Sequence, residues 1–321
     1  MQRRELMVAA LGLLGTEVSF AQAWPARPVK MIVPYPPGGA NDITARLYGH
    51  YLETTLGQPF VIDNRAGAGG EIGAEQAAKA TPDGYTLVFA AIGSLTIHVV
   101  LPVQKPGYDL KTDLLPVSMG AGVPLALAVR ASMPVSSVKE FLAYAREQKQ
   151  PLTYGSAGNG STQHMTGEYF KQVAGVKLVH VPYKGSGPAL TDLLGGQIDL
   201  VFETLPALSP HFKSPKLKIL AVTSETRSEL LPEAPTLNES GVPGFDVTTY
   251  YGLLAPRGTP RAIVDQLSTA MQSLAQKPEV KDALKKAGAQ AIATTPEKMA
   301  TMIQGEIDKW ARVQKFAQIK L

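Results

Sequence analysis

The sequence predicts an α/β protein built from two sheet-and-helix units. Three observations carry that reading: short apolar runs alternate with stretches of helical period, Gly- and Pro-rich junctions separate them, and the alternation occurs twice before a mostly helical C-terminal stretch. At 321 residues the chain is long enough for two ordinary domains, and 45% hydrophobic with 18% charged residues is the balance of a packed globular protein.

Residues 1–23 set Arg3 and Arg4 before an apolar stretch at 6–14 and end on Ala21-Gln22-Ala23, the order of a secretory signal peptide cut after Ala23. That apolar stretch is too short to cross about 30 Å of hydrocarbon, and no later one is long enough, so an exported, soluble mature protein is expected. "VKMIVPY", "PFVIDN" and "YTLVFAA" read as strands, with helices at 43–56 and 72–79 between them and a loop after the third. A second series starts at "PLALAVR": helix 138–148, strand "LTYGS", helix 162–174, strand "KLVHVPY", helix 188–194, then "IDLVFE" and "KILAVTS". After "YYGLLAP" come helices at 260–276, 278–287 and 296–316. These last helices need a sheet to cover, and the first unit is short of helices, so the chain is expected to cross back. Crossings near 123–129 and 248–253 would form a hinge between two mainly parallel lobes: 24–124 plus 251–321, and 125–250.

Composition excludes several functions. The net charge of +4 is scattered rather than gathered into a basic run interleaved with aromatics, which argues against nucleic-acid binding. The absence of cysteine removes disulfides, thiol nucleophiles and Cys-based metal sites.

The chemistry is concentrated at four Gly-rich junctions: "YPPGGANDITAR", "NRAGAGGEIG", "YGSAGNGSTQH" and "VPYKGSGPAL". In open α/β sheets, ligands bind outside the carboxyl ends of the strands, where loops lead into helix N-termini. Pro36 and Pro37 stop ladder pairing after the first strand, while Gly38 and Gly39 leave backbone N–H groups unobstructed. Such a loop, with the positive end of the helix dipole behind it, suits an anion. Asn41 or Asp42 is a candidate helix cap, and Asp42 alternatively contacts a ligand. Ser156, Ser161 and Thr162 add hydroxyl donors, Ser161 doubling as a candidate N-cap. Lys184 is the cation within these loops, read as a solvated surface residue.

Enzyme motifs do not fit. "GAGGEIG" carries Ile72 where the third glycine of a dinucleotide fingerprint belongs, no P-loop occurs, and no serine stands in G-x-S-x-G. His164 and Glu168 share a helix face but have no recognisable third metal ligand. No catalytic residue, cofactor or metal is therefore expected. Glu203, closing an apolar strand, sits where a carboxylate reaches a cleft rim or braces a loop.

Six collinear stretches carry a family likeness: "WPARPVKMIVPYPPGGANDITAR", "GQPFVIDNRAGAGGEIGAEQAAKATPDGYTL", "YGSAGNGSTQHMTGEYF", "HVPYKGSGPALTDLLGGQIDLVFE", "AVTSETRSELLPEAPTLNESGVPGF" and "YYGLLAPRGTP". Over nearly the whole mature chain the sequence resembles the extracytoplasmic solute receptors of the tripartite tricarboxylate transporter family, the Bug receptors. The resemblance implies a periplasmic type II binding-protein fold, acting as a monomer, that closes around a small carboxylate and delivers it to a two-component membrane permease. A sensory module feeding a signalling partner, or an exported enzyme on the same scaffold, are the alternatives. Carried over by the resemblance, the binding positions are Gly38, Gly39 and Asp42 on one lobe and Ser156, Gly160, Ser161 and His164 on the other, with Ser94, Tyr183 and Glu203 as further members. Three positions depart from the family pattern: Glu203 where Asp is usual, Tyr250 where Trp is usual, and His98 where Asn is usual.

Overall fold

The computed structural model describes residues 24–101 and 107–317; the signal peptide expected at 1–23 lies outside them. The first half opens with β1 (Val29–Val33), α1 (Ala40–Leu56), β2 (Phe60–Asn64), α2 (Glu71–Ala78), β3 (Thr86–Ala91), α3 (Ile92–Val100) and the single turn α4 (Leu110–Asp113). The long strand β4 (Leu114–Arg130) leads into α5 (Val138–Glu147), β5 (Leu152–Ser156), α6 (Thr162–Ala174), β6 (Leu178–Pro182), α7 (Ser186–Leu194), β7 (Leu200–Thr204), the short α8 (Leu205–Leu208) and β8 (Leu217–Val222). The chain returns through β9 (Thr248–Pro256) to α9 (Arg261–Gln276), α10 (Pro278–Lys286), β10 (Gln290–Ala291) and α11 (Pro296–Ala317).

One curled sheet runs through both halves in the order β2-β1-β3-β9-β4-β7-β5-β6, with β8 and β10 also pairing with β4. The flanks are parallel as expected: β1 pairs with β2 and β3, and β5 with β6 and β7. The middle is antiparallel, because the chain enters the second half on β4 and leaves it on β9, and these two strands lie side by side from Leu114↔Pro256 to Pro124↔Thr248. Residues 125–130 of the same β4 then pair with β7 and β8. "PLALAVR" is thus the far end of a crossing strand rather than a new one.

Each half buries its own core. β1 reads as an almost unbroken apolar run because helices cover both faces of a parallel strand, and Val29, Met31, Ile32 and Val33 have no solvent exposure. On α9, Val264, Leu267, Met271 and Leu274 recur at helical spacing and join the core with Tyr48, Leu52 and Phe89. Each such side chain contributes about 1.5–3 kcal/mol of burial. In the second half Phe141, Phe170, Phe202 and Phe245 cluster together, and Trp310 of α11 packs among them. The C-terminal helix therefore belongs to both cores, since its Met299, Ile303 and Ile307 pack on Ile92 and Leu95 in the first half. Residues 92–100, expected as a loop, are the helix α3. Seven of its nine residues are buried, so it carries no polar face for periodicity to reveal. Among the described residues no helix is long and apolar enough to cross a membrane.

Candidate functional site

A cavity of about 20 Å³ lies where the two halves meet, lined by residues of the loops that follow β1, β3, β5 and β6. Four helices begin at it. Gly39, Ala40 and Asn41 line it from the start of α1, Ala91 and Ser94 from α3, Thr162 and Gln163 from α6, and Ser186 from α7. A helix start leaves several N–H groups without intrahelical partners and carries the positive end of the peptide dipoles. On α1, α3 and α7 no side chain among the described residues caps those groups. Every lining residue described is uncharged, so the positive potential comes from backbone dipoles rather than a fixed cation.

The α1 loop is held from behind. Pro36 and Pro37 end the strand, Gly38 takes a left-handed φ of 87°, and Gly39 caps α1 with an extended backbone. The Asp42 carboxylate accepts from the Gly38 N–H at 3.0 Å, Arg46 Nε at 3.0 Å and Asn64 Nδ2 at 3.0 Å. Burial alone would raise its pKa, but the bonds from Arg46, Asn64 and Gly38 outweigh it and hold the carboxyl below the ordinary range. Asn64 also donates to the Tyr35 carbonyl at 2.8 Å. Asp42 is the brace of this loop and does not line the cavity.

Tyr35 ties the α1 loop to α3. Its hydroxyl lies 2.5 Å from the Gly69 carbonyl and 2.9 Å from Ser94 Oγ. The carbonyl can only accept, so the Tyr35 proton goes there and Ser94 donates to Tyr35. Burial pushes the Tyr35 phenol well above its ordinary range, which keeps it neutral.

On the second half, Ser161 caps α6 by accepting from the His164 N–H at 3.2 Å. The loop before it is supported from below. Gly160 N–H donates to His164 Nδ1 at 3.2 Å, and the His164 ring stacks on His180 at 3.8 Å between centroids. His180 Nε2 lies 2.6 Å from Ser156 Oγ, which also accepts from the Gly158 N–H at 3.1 Å. Burial pushes His164 down to about 4, and burial together with the neighbouring His164 pushes His180 down to about 3. Both rings are neutral at pH 7. Their neutrality lets His164 Nδ1 accept the loop hydrogen bond.

Glu203 is 1% exposed and stands behind the cavity wall. It accepts from Gln163 Nε2 at 3.0 Å and from the Thr204 N–H and hydroxyl at 2.7 and 2.9 Å, and the Ser186 hydroxyl also bonds to it. Burial raises its pKa against the pull of these four donors.

Of the ten residues singled out in the sequence, Gly39 and Ser94 line the cavity. Gly38, Asp42, Ser156, Gly160, Ser161, His164 and Glu203 surround it as braces. Tyr183 stands apart, its hydroxyl donating to Asp192 at 2.6 Å. His98 is 2% exposed; its Nδ1 lies 2.7 Å from Glu71 Oε1, out of line for a hydrogen bond. It sits against Gly69 and Gly160 rather than facing the cavity. Tyr250 lines a separate groove of about 740 Å³ instead, together with Pro124 and Thr248. Sequence reasoning missed Gln163, Ser186 and Tyr251, and took Asn41 only as a cap. The available signal was position: each of the first two falls in the first turn of a helix that starts at a Gly-rich junction.

Two α/β halves joined by crossing strands, with a polar cavity between their helix N-termini, define a solute-binding receptor of the periplasmic binding-protein type. A family model described as "Tripartite tricarboxylate transporter family receptor" matches residues 44–318. The chain belongs to this family, as the six collinear motifs indicated. Among relatives, Protein BugT of Bordetella pertussis is 37% identical over 302 residues, covering 94% of this chain and 92% of that protein. Among solved structures, "R. palustris Rpa4515 with adipate" is 39% identical with a TM-score of 0.90, over 92% of this chain and 99% of that one. MatC (Rpa3494) from Rhodopseudomonas palustris with bound malate is 33% identical with a TM-score of 0.84, over 90% and 99%.

Proposed function

We propose that this receptor captures a small carboxylate between two lobes and hands it to a two-component membrane permease. The observation that carries the reading is the convergence of four helix starts, two from each half, on a cavity whose described lining is uncharged. Neutral amides and hydroxyls hold a carboxylate firmly while leaving no buried cation behind when the cargo departs. Adipate in one relative's structure and malate in another's support the carboxylate class.

At about 20 Å³ the cavity has room for roughly one water, so a carboxylate enters only if the halves part. Contacts made solely in the closed form then shift the population toward it. On this reading the lobes are 24–124 plus 251–321 and 125–250, moving about β4 and β9, with α11 bridging them. The receptor works as a monomer without catalysis, and residues 1–23 direct it to the periplasm before being cleaved off after Ala23.

The test is a thermal-shift screen of the mature protein against mono-, di- and tricarboxylates, amino acids, sugars and cations. Stabilisation by at least one carboxylate, with no product formed, is expected; a response confined to sugars or cations contradicts the reading.

A further inference from the structure

Asn41 is the second residue of α1, 3% exposed, and lines the cavity. Neither its Nδ2 nor its Oδ1 has a hydrogen-bond partner among the described residues. It does not cap the helix, since Gly39 holds that position, and the loop-bracing role falls to Asp42 next to it. A buried amide without partners is costly, and native structures pair nearly all such groups. A buried amide on a residue that lines a ligand cavity therefore finds its partners in the guest once the halves have parted to admit it. Its side chain presents a donor and an acceptor side by side. A bare carboxylate offers acceptors only: it satisfies Nδ2 and leaves Oδ1 facing a second lone pair.

The opposite wall makes the same demand. Glu203 receives the Ser186 hydroxyl hydrogen and one hydrogen of Gln163 Nε2. With its proton directed to Glu203, Ser186 Oγ has only lone pairs to offer the cavity that it lines. Both walls thus call for a hydrogen-bond donor on the guest in addition to its carboxylate.

We propose that Asn41 is a specificity-determining residue that selects carboxylates bearing a hydroxyl or ammonium group on the carbon next to the carboxylate over their unsubstituted analogues. The proposal rests on the carboxylate reading above and names the class within it. Adjacent O–H or N–H and carboxylate groups reproduce the donor–acceptor pair that the amide presents.

The experiment is calorimetric titration of the mature protein with matched sets: succinate, malate and aspartate; propanoate, lactate and alanine; adipate and 2-aminoadipate. In at least one set the substituted acid is expected to bind about tenfold tighter or more than its bare analogue, as one hydrogen bond in a dry site allows. Asn41→Ala is expected to close that gap to within about twofold, without lowering the melting temperature of the unliganded protein, because it removes an unpaired buried amide. A structural role would instead lower the melting temperature and weaken both acids alike. Equal affinities within every set that binds, or a gap that survives in Asn41→Ala, overturns the proposal while leaving the receptor reading intact. If no acid of any set binds and the wider screen finds no carboxylate, the receptor reading fails and this proposal with it.

Discussion

Gly39 of the first half faces Ser186 of the second across the cavity: a Cβ on Gly39 would lie 3.6 Å from Ser186 Oγ, at ordinary contact distance. The Gly39 backbone is extended, at φ −83° and ψ 167°, a conformation open to any residue. Backbone strain therefore does not demand glycine here, and only a side chain longer than a methyl would fill the space beside Ser186.

Replacing it tests the location of the site. Gly39→Leu is expected to fold normally, with a melting temperature close to the parent's, while filling the space between α1 and Ser186. Carboxylate affinity should fall by about 100-fold or more, equivalent to ~2.7 kcal/mol. Titration calorimetry on both proteins decides it; unchanged affinity would put the guest elsewhere.

Closure can be probed away from the cavity. Gly69 has a φ of 64°, and a Cβ there would stand 2.3 Å from the Asn159 carbonyl of the other half. Gly69→Ala should therefore hold the halves apart and weaken carboxylate binding by about tenfold through a reduced population of the closed form. Small-angle scattering with and without ligand would show incomplete compaction; full compaction at parent affinity contradicts this view of the seam.

Asp42 separates a brace from a ligand contact. Asp42→Asn removes the charge that Arg46, Asn64 and the Gly38 N–H share, at an expected cost of about 1–3 kcal/mol in stability. The melting temperature should drop while saturating ligand still raises it. Loss of the ligand response at unchanged stability would make Asp42 a direct contact.

The His164–His180 stack makes stability depend on pH. Both rings bind protons more weakly folded than unfolded, His164 at about 4 and His180 at about 3 against 6.5. Their contribution is fully present above about pH 6.5 and is lost as the pH falls from there through about 4 for His164 and about 3 for His180. For His164 the loss is of order 3 kcal/mol. Melting curves between pH 7.5 and 4 should show it, and His164→Asn, which keeps an acceptor near the Gly160 N–H but cannot titrate in this range, should flatten the profile. An unchanged slope in His164→Asn would remove the stack as its source.

The strands and most helices were legible because apolar runs and Gly-rich junctions report local structure directly. So was the return of the chain, because helices 260–316 had no other sheet to cover. Two features were not. Residues 92–100 form a helix with seven of nine residues buried and apolar Val99 at its exposed end, so Ile92, Leu95 and Ile97 show no polar counterpart from which a period could be read. The division of the site into wall and brace was hidden as well. Asp42 and Asn41 are neighbours of similar shape and propensity, and only the fold decides that one turns to Arg46 and Asn64 while the other meets the cavity. Likewise Ser161, a plausible donor from its loop, caps α6, and the two residues after it line the wall. Gly-rich junctions mark where a site lies; which side chain faces inward depends on the helix phase after each one.

The most direct measurement is a crystal structure of the mature protein with whichever carboxylate stabilises it best. Carboxylate oxygens are expected within hydrogen-bond reach of backbone N–H groups at the start of α1 and of α6 or α7, bridging the two halves. A carboxylate held instead by the side chain of Lys184 or an arginine, or bound to one half alone, would contradict it.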